Sequence, residues 1–461
     1  MTSFFARNDP QAGGSPSSHK DPAGIGRRVQ VEVGFPYPNM NPLTIPDGMH
    51  PRVFSLPTYR PAQDGLELVK TAMRTPLGAR PLRELAARKK KILIVSDDVS
   101  RPTPVHEFVE IVLDELRQAG ASTEQIEFLM ALGTHRAMTP KEMADKLGPR
   151  VAATYRVYNH QWDNPEHLDY IGDTDQGVPV SINKRVRQAD LVIGLGSIMP
   201  IDICGFTGGG KILIPGVSGQ VTVDLMHWTR VDVPSPHVLG KADNPIRDSI
   251  DSLARRAGLS FIVNVVLNSH NQIVGAVAGD MVAAHRCGCN IARHVYGVPI
   301  PHEFDIVIAD SHPFDNEFWQ ANKALDTAGE VVKQGGVVIL VSPCHEGFSQ
   351  THSEILEFGY LPVEQIKKMV NSGVIKHKVV GVHMVQASTV AIEKARLILV
   401  SDGISEHQAH KVGFSWSATP QEAFEKAIEI CGPSATVAVL HDAARMLPVK
   451  SNEGRDDEVE E

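Results

Sequence analysis

The sequence lacks the features that mark membrane, secreted and nucleic-acid-binding proteins. No stretch has the continuous apolar length of a membrane span, and residues 1–20 lack the apolar centre of a secretory signal. The five cysteines are scattered and odd in number, which favours free thiols in a reducing compartment over a disulfide framework. The longest basic run covers only Arg88 to Lys91, and the net charge is −9 with a pI of about 6.1. We therefore predict a cytoplasmic protein that binds neither nucleic acid nor a membrane.

Length and composition indicate a globular chain with two domains. The chain has 461 residues, of which 42% are hydrophobic and 21% are charged. Residues 1–27 are rich in glycine, proline, serine and aspartate, so we predict that they are disordered. Residues 451–461 form an acidic tail. Neither end is expected to carry chemistry, and the sequence indicates no particular oligomeric state.

Apolar runs rich in β-branched residues recur between these two ends. Such runs are typical of parallel strands that are buried on both faces of a sheet. Helical patterns separate them, notably from Val105 to Ala119 and after Thr139, where a cap, an N1 proline and a capping-box glutamate follow in order. The pattern predicts an α/β protein with mainly parallel sheets flanked by helices. The predicted strands are Lys91–Ser96, Ile126–Met130, Leu191–Leu195, Phe261–Val266, Phe304–Ala309 and Gly336–Val341.

A domain boundary is predicted near Pro299-Ile300-Pro301. The prolines interrupt the preceding element, and a new strand pattern begins at Phe304. The N-terminal α/β domain is therefore expected to cover 28–300 and the C-terminal α/β domain to cover 301–434. Residues 435–450 are expected to form a return segment that packs on the N-terminal domain.

The stretch from Gly205 to Lys211 almost spells a phosphate-binding loop. Its glycine and lysine have the spacing of the Walker A motif, but Ile212 stands where that motif needs a serine or threonine to hold Mg²⁺. A lysine on a glycine-rich turn is able to approach a planar or phosphorylated group closely and to bond covalently to it. A degenerate P-loop that binds nucleotide or transfers phosphoryl groups stays open as an alternative.

Polar residues follow three of the predicted strands. Asp98 and Arg101 follow the first strand, His135 follows the second, and the segment from Gly196 to Cys204 leads from the third into the glycine-rich stretch. Ligands of open α/β sheets bind beyond the carboxyl ends of the strands. A histidine at a strand end is also able to accept a proton near neutral pH. The sequence thus predicts one site built from these three loops.

Five short motifs follow one another along the chain, and each is weak alone. They are Asp98-x-x-Arg101-Pro102, Gly133-Thr134-His135-Arg136, Gly205-Phe206-Thr207-Gly208-Gly209-Gly210-Lys211, His227 and Gln320-x-x-Lys323. Together, and in this order, they resemble the motifs of the nickel-pincer-nucleotide lactate racemase family, and the combination is specific. The resemblance implies an isomerase, a racemase or epimerase of a 2-hydroxy acid, with its active site in the cleft between two α/β domains.

The resemblance also implies the cofactor and the residues that hold it. Lys211 would bond covalently to a pyridinium-3,5-bisthiocarboxylic acid mononucleotide, and His227 would be the protein ligand of its nickel ion. A sulfur and carbon donor set completed by imidazole suits square-planar Ni(II). Asp98, Thr207, Gly208 and Gly209 would contact the nucleotide. Contact with the proteins that synthesise this cofactor is left open by the resemblance.

Further roles concern the substrate. By the same resemblance, Arg101 and Lys323 would pair with the carboxylate of the 2-hydroxy acid, and Gln320 would add a hydrogen bond. Trp319 would offer a stacking wall. His135 would act as the general base that removes the hydroxyl proton while hydride passes reversibly from the substrate carbon to the cofactor.

One position departs from the family pattern. The lactate racemases carry a second catalytic histidine ten positions before the reactive lysine, and here Ile201 occupies that position, followed by Asp202. Asp202 is a candidate second base, although a solvated or capping aspartate explains it equally well. His160 is a further polar candidate near a strand end that we do not assign to the site. We expect a substrate other than lactate, such as a sugar acid or an aryl hydroxy acid. A non-catalytic binding homologue is the remaining alternative.

Overall fold

The computed structural model of the chain describes residues 30–59, 64–174 and 177–450. The segment 1–27, predicted to be disordered, and the acidic tail 451–461 lie outside these residues. In the described part of the chain, no helix has both the length and the apolar character needed to cross a membrane.

Strands and helices alternate along most of the chain. In chain order the strands are Gln30–Val33 (β1), Leu43–Pro46 (β2), Arg52–Phe54 (β3), Ile92–Asp97 (β4), Ile126–Ala131 (β5), Arg156–Asn159 (β6), Leu168–Asp173 (β7), Pro179–Asn183 (β8), Leu191–Ser197 (β9), Pro200–Ile201 (β10), Gly205–Phe206 (β11), Leu259–Leu267 (β12), Ile273–Gly279 (β13), Gly297–Ile300 (β14), Phe304–Asp310 (β15), Val332–Val341 (β16), Arg396–Val400 (β17), Ser415–Ser417 (β18), Val437–Leu440 (β19) and Leu447–Lys450 (β20). The α-helices are Gly65–Arg74 (α1), Leu82–Ala86 (α2), Val105–Gln118 (α3), Pro140–Leu147 (α4), Pro149–Thr154 (α5), Lys184–Gln188 (α6), Gln220–Trp228 (α7), Pro245–Ala257 (α8), Ala283–Tyr296 (α9), Phe318–Gly329 (α10), Glu354–Phe358 (α11), Val363–Asn371 (α12), Lys378–Ser388 (α13), Glu406–Lys411 (α14) and Pro420–Cys431 (α15).

The first lobe is built on a six-stranded sheet in the order β13-β12-β9-β4-β5-β6. All its pairs are parallel except β12 with β13. Alternate residues of β4 enter different cores: Ile94 packs with Phe108 of α3, whereas Val95 packs with Ile250 of α8. Burial on both faces explains the continuous apolar runs and confirms the predicted α/β class.

The second lobe is built on an all-parallel sheet in the order β18-β17-β16-β15-β19-β3. Its edge strand β3 corrects the predicted boundary at residue 28, since this N-terminal strand belongs to the second lobe. The β1–β2 hairpin also belongs to the second lobe, because Leu43 and Ile45 are fully buried in the same core as Ile306 and Ile308 of β15. The predicted domain 28–300 therefore loses its first strands to the second lobe.

The return segment 435–450 is divided between the two lobes. Its first part forms β19, which lies inside the second sheet between β15 and β3, so the prediction that it packs on the N-terminal domain is wrong there. Its last part, β20, pairs in parallel with β14 at the end of the first lobe. Between them Arg445 donates to the backbone carbonyls of Asn268 and Ser269 in the first lobe. The segment thus joins the lobes beside the cleft.

Candidate active site

The cleft between the lobes collects the side chains that follow β4, β5 and β9. The carboxyl ends of these neighbouring parallel strands meet at one edge of the first sheet. Helices α10 and α13 of the second lobe close the opposite side. The empty space of the cleft, counted together with the open solvent at its mouth, is about 1220 Å³.

His135 and Asp98 form a hydrogen-bonded pair at the start of the cleft. Nδ1 of His135 lies 2.6 Å from Oδ2 of Asp98, and Oδ1 of Asp98 accepts hydrogen bonds from the backbone N–H and the hydroxyl group of Ser100. Burial alone would raise the pKa of the Asp98 carboxyl, but the adjacent His135 and Arg101 hold it below its usual range. The ionised carboxylate orients the imidazole and places the proton of the neutral ring on Nδ1.

The other nitrogen of His135 faces the second lobe. Its Nε2 lies 3.3 Å from Nε2 of Gln320 on α10. With Nδ1 protonated, this nitrogen carries a lone pair and accepts from the Gln320 amide. A substrate hydroxyl group placed here would meet a nitrogen that is ready to take its proton.

Two basic side chains, Lys323 and Arg101, converge beside this base. Lys323 donates to Oε1 of Gln320, and Arg101 reaches the same oxygen at 3.5 Å. Both cations lie over the ring of Phe314, at 4.3 Å for Lys323 and 5.8 Å for Arg101. Burial, followed by the charges of Arg101 and Lys211, lowers the pKa of Lys323 well below its usual value. Such crowding of positive charge favours the binding of an anion.

The glycine-rich stretch forms a tight turn against β12. Gly208 has a φ of 77°, and a Cβ atom there would lie 2.8 Å from Oδ1 of Asn264. That same oxygen accepts a hydrogen bond of 2.9 Å from the backbone N–H of Gly209. Thr207 donates from its hydroxyl group to the carbonyl of Ser197 at the end of β9. The turn is thereby fixed to the neighbouring strands β9 and β12, and its small residues leave space in the cleft.

Lys211 projects from this turn into the cleft. Burial, followed by the nearby charges of Arg101 and Arg247, lowers the pKa of its amine to about 8. Among the described residues the amine makes no hydrogen bond or ion pair. The backbone after Gly208 forms a four-residue 3₁₀ turn, Gly209–Ile212, whereas a phosphate-binding P-loop leads into the N-terminus of an α-helix. The local fold therefore favours a nucleophilic amine over a P-loop lysine.

His227 lies near the end of α7 and also lines the cleft. Its Nδ1 donates to the carbonyl of Val223 one turn earlier, at 2.8 Å. Burial and the charge of Lys211 lower the pKa of the imidazole to about 4, so the ring is neutral. Its Nε2 keeps a free lone pair, as in histidines that ligate transition metals.

The side chains present fit a nucleotide that brings its own nickel donors. In the described part of the chain, no group of three or more His, Cys, Asp or Glu side chains is arranged to hold a metal ion. A metal beside His227 would therefore need further donors from a bound molecule. The unpaired amine of Lys211 would anchor that molecule, and the small residues of the turn at Gly208 and Gly209 leave it room.

Trp319 forms part of the cleft wall on the second lobe. Its ring lies between two imidazoles, with centroid distances of 4.3 Å to His352 and 4.3 Å to His383. Burial lowers the pKa of both histidines to about 3, so both are neutral. The stack holds the indole in place, and the role of Trp319 as a stacking wall for the substrate stays a prediction.

Asp202 lies in the cleft but is held in an ion pair. Its Oδ2 accepts from Arg230 at 2.6 Å and from Nε2 of Gln386 at 2.7 Å, and its Oδ1 accepts from the hydroxyl group of Ser235. A carboxylate with both oxygens occupied in this way is a poor proton acceptor. The geometry thus favours an anchoring role over the predicted catalytic one. Ile201, next to it, adds apolar surface to the cleft.

His160 lies outside the cleft lining. Its Nε2 donates to the carbonyl of Ser218 at 2.9 Å, and its Nδ1 lies 3.1 Å from the amide of Asn183. Burial lowers the pKa of this ring to about 4. The imidazole fixes the loop before α7, in line with its exclusion from the predicted site.

Sequence reasoning missed several side chains that line or support the cleft. Asn264 gave one usable signal, since it is the only polar residue in the predicted strand Phe261–Val266. The others lie on helices or loops of the second lobe whose patterns carried no mark of a site. The missed residues are Asn264, Asn322, Asp326, His352, His383 and Gln386.

Comparisons with known proteins cover nearly the whole chain. Models of the lactate racemase N-terminal domain and C-terminal domain match residues 39–237 and 300–447. The lactate racemase of Lactiplantibacillus plantarum is 30% identical over 398 residues, which are 85% of this chain and 92% of that protein. The lactate racemase of Thermoanaerobacterium thermosaccharolyticum is 32% identical over 293 residues, which are 63% of this chain and 68% of that protein.

Two solved structures share the fold. The lactate racemase apoprotein from Thermoanaerobacterium thermosaccharolyticum superposes with a TM-score of 0.80 at 26% identity, over 91% of this chain and 100% of that one. A protein from Thermotoga maritima superposes with a TM-score of 0.67 at 21% identity, over 84% of this chain and 98% of that one. The second match shows the fold alone.

Proposed function

Since this chain belongs to the lactate racemase family, it is an isomerase that acts on a hydroxy acid, and we propose that it racemises or epimerises a 2-hydroxy acid other than lactate by reversible hydride transfer to a nickel-pincer nucleotide. The observation that carries this proposal is the convergence of Lys211, His227 and His135 in one cleft. The amine of Lys211, the His227 imidazole with a free lone pair on Nε2, and the His135 base oriented by its carboxylate partner all line this cleft beside basic side chains.

Lys211 and His227 are the proposed anchors of the cofactor. When bound, the nickel-pincer nucleotide supplies an acceptor for the hydride on the carbon that bears the hydroxyl group. The lowered pKa of Lys211 supports its part, because a neutral amine is the form that makes a covalent bond. His227 offers Nε2 to the metal. Asp98, Thr207, Gly208 and Gly209 form the adjoining wall.

Arg101 and Lys323 are the proposed partners of the substrate carboxylate. Gln320 lies between these cations and Nε2 of His135, so a 2-hydroxy acid bound by its carboxylate brings its hydroxyl group toward this nitrogen. His135 takes the hydroxyl proton, and Asp98 stabilises the imidazolium that forms. A bidentate guanidinium contact would hold the acid in one orientation.

Inversion of the carbon centre requires hydride to return to the opposite face of the oxidised carbon, while the proton returns to its oxygen. Ile201 has no exchangeable proton, and Asp202 is ion-paired with Arg230. We therefore assign proton transfer in both directions to His135, with the oxidised substrate turning within the cleft.

The other readings of the chain have weaker support. The 3₁₀ turn after Gly208 and the absence of a hydroxyl group at Ile212 argue against a P-loop enzyme. The oriented His135–Asp98 pair argues against a non-catalytic binding homologue, which has no need of a base. Free thiols at all five cysteines support the proposed cytoplasmic location.

The test of this proposal is mass spectrometry of protein made in a host that synthesises the cofactor. The peptide that contains Lys211 should gain the mass of the nucleotide, and the Lys211→Ala variant should lack this gain. Lys141→Ala is the matched control, because Lys141 is an exposed lysine far from the cleft. A fully active enzyme without modification at Lys211 would refute the proposal.

A further inference from the structure

The second lobe places a row of polar side chains in the cleft that the proposed chemistry does not use. Asn322 and Asp326 are four residues apart on α10 and lie on one face of the helix. Gln386 of α13 and Asp202 of the first lobe lie beside them in the same cleft. We call these four residues the polar subsite. Asn322 and Asp326 share α10 with Gln320 and Lys323, and all four residues line the cleft.

Three members of the polar subsite have unused hydrogen-bonding capacity. Asn322 is 3% exposed, and its Oδ1 has no partner among the described residues. Asp326 makes one long contact, in which its Oδ1 accepts from the amide of Asn322 at 3.5 Å. Gln386 donates to Asp202, but its own carbonyl oxygen accepts nothing in the described part of the chain. A buried polar atom such as Oδ1 of Asn322 normally finds a partner, so a ligand is expected to provide it. The side chains of Asp326 and Gln386 are half-buried in the same cleft, where the same ligand would reach them.

The charges around Asp326 favour a neutral carboxyl group there. Burial, followed by the negative charge of Asp202, raises the pKa of Asp326 well above its usual value, against the opposing effect of Arg230 and Lys323. A protonated carboxyl group both donates and accepts hydrogen bonds. Together with the Asn322 and Gln386 oxygens it offers one donor and several acceptors, which is the pattern that alcohol groups match.

Other classes of hydroxy acid fit the polar subsite poorly. A second carboxylate would lie close to the carboxylate of Asp202, and like charges in a buried site repel. An aryl or alkyl group would cover Asn322, Asp326 and Gln386 without satisfying them, and unpaired buried polar groups weaken binding. A carbon chain that carries neutral hydroxyl groups avoids both penalties.

From this geometry we infer that the substrate is a polyhydroxylated 2-hydroxy acid of the sugar-acid class, whose hydroxyl groups beyond the reacting carbon bind to the polar subsite. The inference rests on the proposed function, because the carboxylate site at Arg101 and Lys323 sets where the remainder of the acid extends. It names Asn322, Asp326 and Gln386 as residues that select the substrate. Asp202 is held by its ion pair with Arg230, and it positions Gln386 by accepting a hydrogen bond from the Gln386 amide.

The first experiment offers cofactor-loaded enzyme a panel of 2-hydroxy acids. The panel contains five- and six-carbon sugar acids, lactate, a hydroxy acid with a second carboxylate and an aryl hydroxy acid, and products are separated by chiral or diastereomer-resolving chromatography. We expect the sugar acids to give the highest kcat/KM, by about 100-fold or more, as a site built to bond hydroxyl groups rejects analogues that lack them. A higher kcat/KM for the acid with a second carboxylate or for the aryl acid would overturn the inference and leave the proposed function standing, whereas a higher value for lactate would overturn the inference and also the proposal that the substrate is not lactate.

The second experiment tests the residues themselves. Asp326→Leu and Gln386→Leu should lower kcat/KM for the preferred sugar acid at least about tenfold more than they lower it for lactate, mainly through KM. Glu364→Gln changes an exposed carboxylate on α12 and is the control. Thermal unfolding and nickel content of each variant verify that it is folded and loaded. Equal losses for both acids in folded, loaded variants would contradict the subsite.

Binding measured by calorimetry distinguishes failure of the proposed function from failure of the inference about the polar subsite. If loaded enzyme binds sugar acids more tightly than the other acids but isomerises none of the panel, the proposed function fails and the polar subsite stands. If it neither binds nor isomerises sugar acids, the subsite is refuted.

Discussion

Nδ1 of His135 lies 2.6 Å from the Asp98 carboxylate, and Nε2 on the other side of the ring faces the Gln320 amide at 3.3 Å. The two contacts come from different lobes, so the base is fully oriented only when the cleft has its present shape. The orientation of the proton acceptor therefore depends on residues of both lobes.

Removal of the base gives the first prediction. His135→Ala should lower the rate of isomerisation by about 10²- to 10⁴-fold, the contribution of a positioned general base. Attachment of the cofactor at Lys211 should persist, because His135 makes no hydrogen bond to the glycine-rich turn. Chiral chromatography measures the rate, and intact-mass spectrometry measures the attachment. Loss of attachment in a folded His135→Ala variant would instead place this histidine in the cofactor site.

Much of this arrangement was predictable from the sequence, for physical reasons. The central strands are buried on both faces, so their apolar runs are continuous, and β4, β5, β9, β12, β15 and β16 appear where those runs predicted them. The capping box at Thr139 formed as predicted, with the Thr139 side chain accepting from Glu142 N–H. The loops after the strands met in one cleft because parallel strands share an edge.

Other features depend on contacts between distant parts of the chain. The strand β3 has three residues with only Phe54 buried, so it gave too weak a pattern to reveal its place in the second sheet. The partners of Asp202 lie 28 residues away at Arg230 and 184 residues away at Gln386. No local pattern indicates such pairs, and for that reason the sequence left open whether Asp202 was a base or a structural carboxylate.

The second prediction concerns the pH at which Lys211 reacts. Because burial lowers its pKa to about 8, its amine should become nucleophilic as the pH rises through about 8. Lys141 is the control, since its contact with Asp145 raises its pKa above the usual value. Competitive acetylation of cofactor-free protein, read by peptide mass spectrometry, should show half-maximal reactivity of Lys211 near pH 8 and of Lys141 at higher pH. Equal pH profiles for the two lysines would contradict the prediction.

The third prediction assigns the nickel ligand. His227→Ala should lose most of the nickel from protein made with the cofactor, because this variant lacks the one imidazole that offers Nε2 beside Lys211. The control is His237→Ala, which removes an exposed histidine ten residues farther along the chain and should keep its nickel. Metal analysis measures both. Similar nickel content in the two variants would reject His227 as the ligand.

The fourth prediction concerns the turn that presents Lys211. Gly208→Ala places a Cβ atom 2.8 Å from Oδ1 of Asn264 on a residue with φ of 77°, so the turn must shift or the variant must unfold more easily. We expect a loss of about 1–3 kcal/mol in the free energy of unfolding and impaired attachment at Lys211. Gly34→Ala is the control, since nothing lies within 4 Å of its added Cβ. Denaturant unfolding of cofactor-free protein should separate the two.

The last prediction decides what Asp202 does. Its side chain is 4% exposed and pairs with Arg230, which is 7% exposed. Removal of one member of a buried ion pair leaves the other charge uncompensated, so Asp202→Asn should lower the free energy of unfolding by about 3–5 kcal/mol. Arg230→Gln should have a similar effect, and the double variant should lose less than the sum, because each change has already broken the same pair.

The turnover rate of the Asp202→Asn variant tests whether Asp202 also takes part in proton transfer. If Asp202 only anchors Gln386 and the loop after Ile201, folded Asp202→Asn enzyme should lose less than about tenfold in kcat, since no proton transfer has been removed. If Asp202 were instead the second proton acceptor, the folded variant would lose about 10²- to 10⁴-fold in rate, as His135→Ala does. Unfolding curves and kcat measured on the same preparations distinguish the two outcomes, because the ion pair acts on stability whereas a base acts on the rate.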